Sequence, residues 1–160
     1  MTSSFPEILV EYGKKDLFSD FCAEQDARNT IHLNVLKYSY MLCDALKDNY
    51  RNYSIRSHQH SLNRFDALPG YHQQKIDELK SDKCDIDYKI ESGRKYHKIV
   101  FTDDGGHRSV HCFIDKKTGS VLKSASWSSP AKGERYNLLL IKDREWLLEN
   151  ADWSGEYLYK

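Results

Sequence analysis

The seven histidines have the widest chemical repertoire in this sequence, and their spacing can be tested against metal binding. His107 and His111 lie four residues apart on a predicted strand, so they share a face but are separated by about 13 Å. One metal ion cannot bridge that distance. His58 and His60 could offer two imidazoles to one ion, but no acidic or cysteine partner is evident beside them. We therefore expect no metal and no cofactor.

The sequence also lacks a set of residues suited to nucleophilic catalysis. A G-x-S-x-G motif, a P-loop and a dinucleotide-binding motif are all absent. Ser109 lies near His107 and Asp103 in sequence, but strand geometry does not turn that proximity into a catalytic triad. We therefore expect no catalytic residues and a protein that is not an enzyme. If the protein did catalyse a reaction, the polar cluster around His58 and His60 would be the place to look.

Composition bounds the class of protein. The 24 basic and 24 acidic side chains cancel, so no overall field attracts nucleic acid, and such binding needs a local patch. The four cysteines include no C-x-x-C pair, which argues against a zinc ribbon and for free thiols in a reducing cytoplasm. The longest apolar run is only Leu138–Ile141, and the first residues lack the features of a secretory signal. We expect a cytoplasmic protein without a membrane partner.

Helical spacing of apolar residues predicts the elements of the first half of the chain. A short helix opens at Pro6, and the strongest helix begins at Asn29 or Thr30 and ends near residues 47–49. The apolar stripe of the strongest helix consists of Ile31, Val35, Leu36, Leu42, Cys43 and Leu46.

The next segments change character. Residues 49–64 mix polar and aromatic side chains without a period, which predicts an exposed connection. Residues 71–80 follow a Leu-Pro-Gly breaker and predict a short amphipathic helix whose apolar residues are Ile76 and Leu79. We expect these helices to cover one face of a small sheet.

From residue 85 the hydrophobic period changes to two, which is typical of half-buried strands. If the first turn has two residues, Ile86 faces Ile99 on the next strand. The second turn then places Phe101 opposite Val110 and Ile99 opposite Cys112. One consistent apolar face results, which favours an antiparallel meander. The predicted strands span about 85–91, 96–102, 107–114 and 120–124.

The end of the chain is less regular. We expect a loop at 127–133, a short strand or helix at 135–141, a short helix capped by Asp143, and an aromatic tail, 153–159, that packs on the body. The overall prediction is one α+β domain over residues 1–160, with N-terminal helices packed on a four-stranded antiparallel β-meander and a short C-terminal helix. Its helical part spans about 1–82, its sheet about 85–125, and its C-terminal helix and tail about 126–160.

The outer face of this predicted sheet is the best candidate for a binding site. Strand parity places basic and aromatic side chains side by side there, with Lys98 near Phe113, and nearby loops add further cations. Single-stranded nucleic acid needs such a surface, because cations neutralise phosphates and aromatic rings stack on bases. The candidate residues are Lys89, Tyr96, Lys98, His111, Phe113, Lys116, Lys117, Lys123, Lys132 and Arg135.

Protein binding competes with nucleic-acid binding for this face. Its apolar members, Val100, Phe113 and Leu122, would form an association patch if left uncovered, and a second copy of the chain is then the simplest partner. The eleven tyrosines and three tryptophans also suit adaptable contact surfaces. The alternative is that the C-terminal helix and tail cover these residues.

The C-terminal third carries a resemblance. The segments DKKTG at 115–119, ASW at 125–127 and PAKGERYNLL at 130–139, together with ADWSGEYLY at 151–159, resemble small uncharacterised proteins of tailed bacteriophages, especially cyanophages. The resemblance implies the cytoplasm of an infected bacterium as the compartment, and it implies no mechanism. We therefore expect a non-enzymatic phage-type accessory protein that binds an unknown protein partner, with single-stranded nucleic-acid binding as the alternative.

Overall fold

The computed structural model describes residues 14–64 and 68–160, with side chains from residue 17 onward. The short helix expected at Pro6 lies outside these residues. The chain divides into two compact units, Met1–Asn34 and Val35–Lys160. The described part of the first unit is helical, and the second unit combines helices with an antiparallel sheet, which confirms the α+β class.

The first helix, α1, spans Lys14–Leu62 and is far longer than the sequence pattern predicts. The expected start is wrong because the Thr30 hydroxyl does not cap a helix end and instead donates to the carbonyl of Asp26, 2.9 Å away. The expected exposed connection over 49–64 is also helical, as far as Leu62. There Tyr50 and Tyr53 pack against Trp153 with ring centroids 5.6 and 5.2 Å apart, so scattered aromatic contacts replace an aliphatic stripe.

The second helix, α2, spans Pro69–Lys80 and confirms the prediction for this segment. Proline is tolerated in the first turn because the amide it lacks would have no partner inside the helix. The side chains of Ile76 and Leu79 are buried, as their spacing predicts.

The sheet has five strands rather than the predicted four, and neighbours in the sheet are neighbours in the chain. The fifth strand includes most of the expected loop. It is not predicted from the sequence because its middle is polar, contains Gly133 and so lacks the period-two alternation of apolar residues. Its first residue is a proline, which a sheet edge accepts because no amide is needed there. The strands are β1 (Ile86–Ser92), β2 (Tyr96–Asp103), β3 (Arg108–Asp115), β4 (Ser120–Ser124) and β5 (Pro130–Asn137).

The predicted register of β1 on β2 is wrong, although the predicted faces are right. Ile99 lies opposite Ile90 instead of Ile86. The turn is longer than two residues, since Ser92 pairs with His97 and the Gly93 amide donates to the carbonyl of Tyr96. A slip of four residues preserves parity, so the same side chains still face the core.

A β-bulge interrupts the pairing of β2 with β3. Ile99 lies opposite Cys112 as predicted, but Val100 lies opposite Val110, which leaves His111 as an extra residue in β3. The expected pairing of Phe101 with Val110 is therefore wrong.

A short helix, α3, spans Ile141–Asn150 and follows β5. Asp143 lies in its first turn and is not the N-cap that the sequence suggests. Its carboxylate accepts a hydrogen bond from the Asn137 amide, 2.9 Å away, and so ties the helix to the end of β5.

The core lies between the inner face of the sheet and the second unit's part of α1, together with α3 and the C-terminal tail. Tyr157 and Leu158 are buried in this core, which confirms that the tail packs on the body. Two cysteines are buried here as well: burial raises the pKa of the Cys43 thiol to about 12 and that of Cys112 well above its usual range. The fully buried side chains of this core include Val35, Leu42, Leu46, Ile99, Ile114, Val121, Leu138 and Leu147.

Gly106 and Gly119 both have positive φ, but only Gly119 lies close to other atoms, so substitutions at the two positions distinguish backbone strain from steric clash. Gly119 (φ +76°) lies where an added Cβ would meet the Leu139 side chain at 2.9 Å, whereas nothing lies within 4 Å of such a Cβ at Gly106 (φ +84°). We expect G106A to cost about 1 kcal/mol for the left-handed backbone, and G119A to cost about 1–3 kcal/mol more because the turn must open. Urea denaturation of both variants measures the difference, and equal losses would contradict this close approach.

Candidate functional site

The outer face of the sheet carries a cluster of cations and aromatic rings, which we call the outer cluster: Lys98, Val100, Arg108, Phe113 and Trp127. The Lys98 ammonium lies 5.8 Å from the centroid of the Phe113 ring and 4.4 Å from that of the Trp127 ring. The Arg108 guanidinium lies 5.0 Å from the Trp127 ring. Two cations therefore contact one indole, where the negative face of the ring attracts them.

The inner members of the outer cluster are shielded from solvent. Val100 is fully buried and Phe113 is 2% exposed. The Tyr96 ring lies edge-on to Phe113 with centroids 5.7 Å apart. Phe113 is thus the floor of the cluster, and Trp127 is the ring that meets solvent.

The charge of this face is mixed. Arg108 forms an ion pair with Glu91 of β1, and Glu134 on β5 accepts hydrogen bonds from Ser120 and Asn137. Carboxylates therefore accompany the cations on the outer strands. A uniformly positive track for phosphates does not result.

Several predicted site residues are not members of the outer cluster, although Lys89 of β1 is paired directly across from its Val100. Lys116 donates to the carbonyl of Gly93 in the β1–β2 turn. Lys89, Lys117 and Lys132 are exposed to solvent. These cations widen the basic surface without joining the aromatic rings.

His111, Lys123 and Arg135 contact the C-terminal tail instead of the outer cluster. The Lys123 ammonium lies 4.6 Å from the Tyr159 ring, and the Arg135 Nε donates to the carbonyl of Leu158 at 2.8 Å. The predicted placement of His111 on the outer face is wrong, because the bulge turns this extra residue toward the inner face.

His111 lies among the rings of the inner face. Its Nε2 is 2.8 Å from the Tyr157 hydroxyl, and the His111 and Tyr88 ring centroids are 5.5 Å apart. Burial lowers the pKa of His111 to about 4, against a weak opposing effect of Asp152, and raises that of Tyr157. Both groups are therefore neutral near pH 7, and a hydrogen bond joins the hydroxyl and the imidazole. This contact fixes the tail to β3.

A cavity of about 370 Å³ opens beside His111. Its walls come from β2, β3, β4 and the tail, so it lies within the second unit. Gly155 of the tail also lines it, at a position where an added Cβ would lie 3.6 Å from the His111 imidazole. The lining residues include Phe101, Ser109, His111, Lys123, Trp153 and Tyr159.

The histidines of the first half form a different pair from the one that the sequence suggests. His58 Nδ1 lies 2.9 Å from Nδ1 of His72 on α2, with the Tyr71 ring nearby, whereas His60 is exposed. Burial first, and then the neighbouring His72, lower the pKa of His58. Within residues 14–64 and 68–160 no three His, Cys, Asp or Glu side chains converge on a point where they could hold a metal ion.

Sequence reasoning missed Trp127, Arg108 and Tyr157 as site residues. Trp127 belongs to the loop between β4 and β5, and a loop residue has no strand parity from which its direction follows. Arg108 begins β3, where uninterrupted parity predicts the inner face, and only the bulge at His111 brings it to the outer face. No signal in the sequence indicates that Tyr157 meets His111, since the two are 46 positions apart.

Because the folded chain holds the pKa of His111 at about 4 and the unfolded chain at about 6.5, acid destabilises the fold through this residue. The unfolded chain takes up a proton first as the pH falls, so this stability is complete above 6.5 and is lost toward 4. The loss amounts to about 2 kcal/mol between about pH 7 and about pH 5.

The variant H111Q tests this pH dependence, because glutamine does not titrate and can still accept a hydrogen bond from Tyr157. We expect its free energy of unfolding, measured by urea denaturation, to depend less on pH between about 7 and 5 than that of the wild type. The exposed His60 provides the control variant H60Q, which should behave as the wild type does. An unchanged acid loss in H111Q would contradict the assignment.

Comparisons with known proteins place the chain in a family without an assigned function. No curated protein and no solved structure matches it. A family match covers residues 18–160, so it is wider than the C-terminal third on which the phage resemblance rests. In the part of the chain that the structure describes, no helix has an apolar stretch that could span a bilayer. The chain belongs to the family described as "Family of unknown function (DUF7717)".

Proposed function

We propose that the protein is a non-enzymatic accessory protein, of the phage type that its C-terminal sequence resembles, and that it acts in the cytoplasm by binding another protein. The contact surface is the outer cluster. Trp127 is the observation that carries this proposal, because this indole is 42% exposed although a lysine and an arginine contact it.

The composition of the outer cluster supports a protein partner. Tryptophan, tyrosine and arginine are the residues that dominate binding energy at protein interfaces. Here the Lys98 ammonium lies between Trp127 and the buried Phe113, and Arg108 lies beside the indole. A partner that covers the indole would remove its apolar surface from water.

The charges around the outer cluster also favour a protein. Arg108 is already paired with Glu91, and Glu134 lies on the same side of the sheet, paired across from Leu122. A mixed surface of this kind selects its partner by charge complementarity, whereas nucleic acid is attracted by a continuous positive track.

Truncation of Trp127 tests the proposed function. We expect W127A to weaken partner binding about 30-fold, which corresponds to about 2 kcal/mol for a central aromatic contact. Wild-type and variant proteins, immobilised at equal density, would capture partners from a lysate of cells that produce the protein. Mass spectrometry would identify the captured proteins, and a titration of the purified partner would give the dissociation constants.

The control variant is W146A, since Trp146 on α3 is equally exposed, at 42%, and stacks on Tyr136 at 5.0 Å. We expect W146A to retain the partner. If both tryptophan variants capture the same proteins as the wild type, the outer cluster is not the binding surface.

Single-stranded nucleic acid is the second candidate, because an exposed indole between two cations also suits base stacking beside phosphates. Fluorescence anisotropy of labelled single-stranded DNA and RNA in a salt series tests it. Two phosphate contacts predict a slope of about −1.4 in log affinity against log salt, and K98A should lower that slope by about half. K142A, which removes an exposed cation from α3, should leave it unchanged. Absence of binding at low salt would exclude this candidate.

A further inference from the structure

The N-terminal part of α1 exposes large apolar side chains. Leu17, Phe18 and Phe21 are each more than half exposed, and Ile31 is 38% exposed. A helical segment that packs against nothing is only marginally stable in water, because most helical stability in proteins comes from packing of an apolar face. The exposed residues therefore mark a face that the described residues leave largely uncovered.

Part of this face has the spacing of a coiled-coil seam. Leu17, Phe21, Glu24, Arg28 and Ile31 follow one another at alternating steps of four and three residues. Side chains at these steps form one stripe along a helix and meet the stripe of a second helix. We call residues 17–31 with this stripe the free seam.

The two charged positions of the free seam determine how two copies fit. Arg28 and Glu24 already form an ion pair 3.6 Å apart within one helix, and both side chains are largely exposed. Antiparallel alignment of two copies brings Glu24 of each copy opposite Arg28 of the other. The same alignment brings Phe21 of each copy opposite Ile31 of the other, so apolar residues lie on both sides of the charged pairs.

A parallel alignment lacks this complementarity. It places Glu24 against Glu24 and Arg28 against Arg28, so like charges meet at the centre of the contact. Charged residues at seam positions specify orientation and register in this way.

We propose that the free seam is a self-association surface that binds the free seam of a second copy in antiparallel orientation. This surface is separate from the outer cluster, so the proposal goes beyond the proposed function. The contact is short, and its affinity therefore depends on both the apolar layers and the charged pairs.

Reversal of one charge at a time tests the proposal. Sedimentation equilibrium of the wild type between about 1 µM and about 1 mM should show a concentration-dependent dimer. E24R and R28E should each be monomeric over this range, because every opposed pair then carries like charges. An equimolar mixture of the two variants should dimerise again, since both seam charges of E24R are then arginines and face the two glutamates of R28E. The double variant E24R/R28E should also dimerise.

The mixture separates interface effects from folding defects, because a misfolded variant would not regain dimerisation when mixed with another. Circular dichroism should confirm that each variant keeps its helix content. Reversal of the Lys75–Glu78 pair on α2 is the matched control and should not change the dimer fraction. W127A should also dimerise as the wild type does, which separates a failure here from a failure of the proposed function. The proposal would be overturned if the wild type stayed monomeric at about 1 mM, or if E24R and R28E formed as much dimer as the wild type.

Discussion

The structure depends on one extra residue in the third strand. Two residues of β3, Val110 and Cys112, pair with adjacent residues of β2, and His111 between them has no partner opposite. The side chain of such a bulged residue is free to change direction. It reaches the Tyr157 hydroxyl, so the tail closes the inner face while Phe113 still faces outward. The residues that face the core and those that face outward on this strand both follow from this local irregularity.

The two faces of the sheet are covered by different physical means. The inner face is covered by aliphatic side chains of α1 and α3 and by the tail. On the outer face, the charged ends of Lys98 and Arg108 lie against the Trp127 ring, and Arg108 is also paired with Glu91. Single side chains on this face exclude water from Val100, which is fully buried.

The sequence predicts those parts of the fold that a simple period controls. The apolar residues of β1 to β4 recur with period two in the sequence, and Ile76 and Leu79 mark α2, so these elements are found at nearly their observed positions. The bulge at His111 leaves no sign in that period. The length of α1 is not predictable in this way, because Tyr50 meets a ring about one hundred positions further along the chain. The fifth strand and the direction of Trp127 also depend on tertiary contacts. Of the candidate site, the pairing of Lys98 with Phe113 is predicted correctly, whereas its role stays a prediction.

The buried thiols of Cys43 and Cys112 have a kinetic consequence. A thiol reacts as its thiolate, and burial raises the pKa of both thiols so far that almost no thiolate exists in the closed core. Modification by an alkylating reagent must then wait until the core opens. Cys22 on the exposed surface of α1 is accessible without such opening. The rate at which Cys43 and Cys112 are alkylated therefore measures how often the core opens.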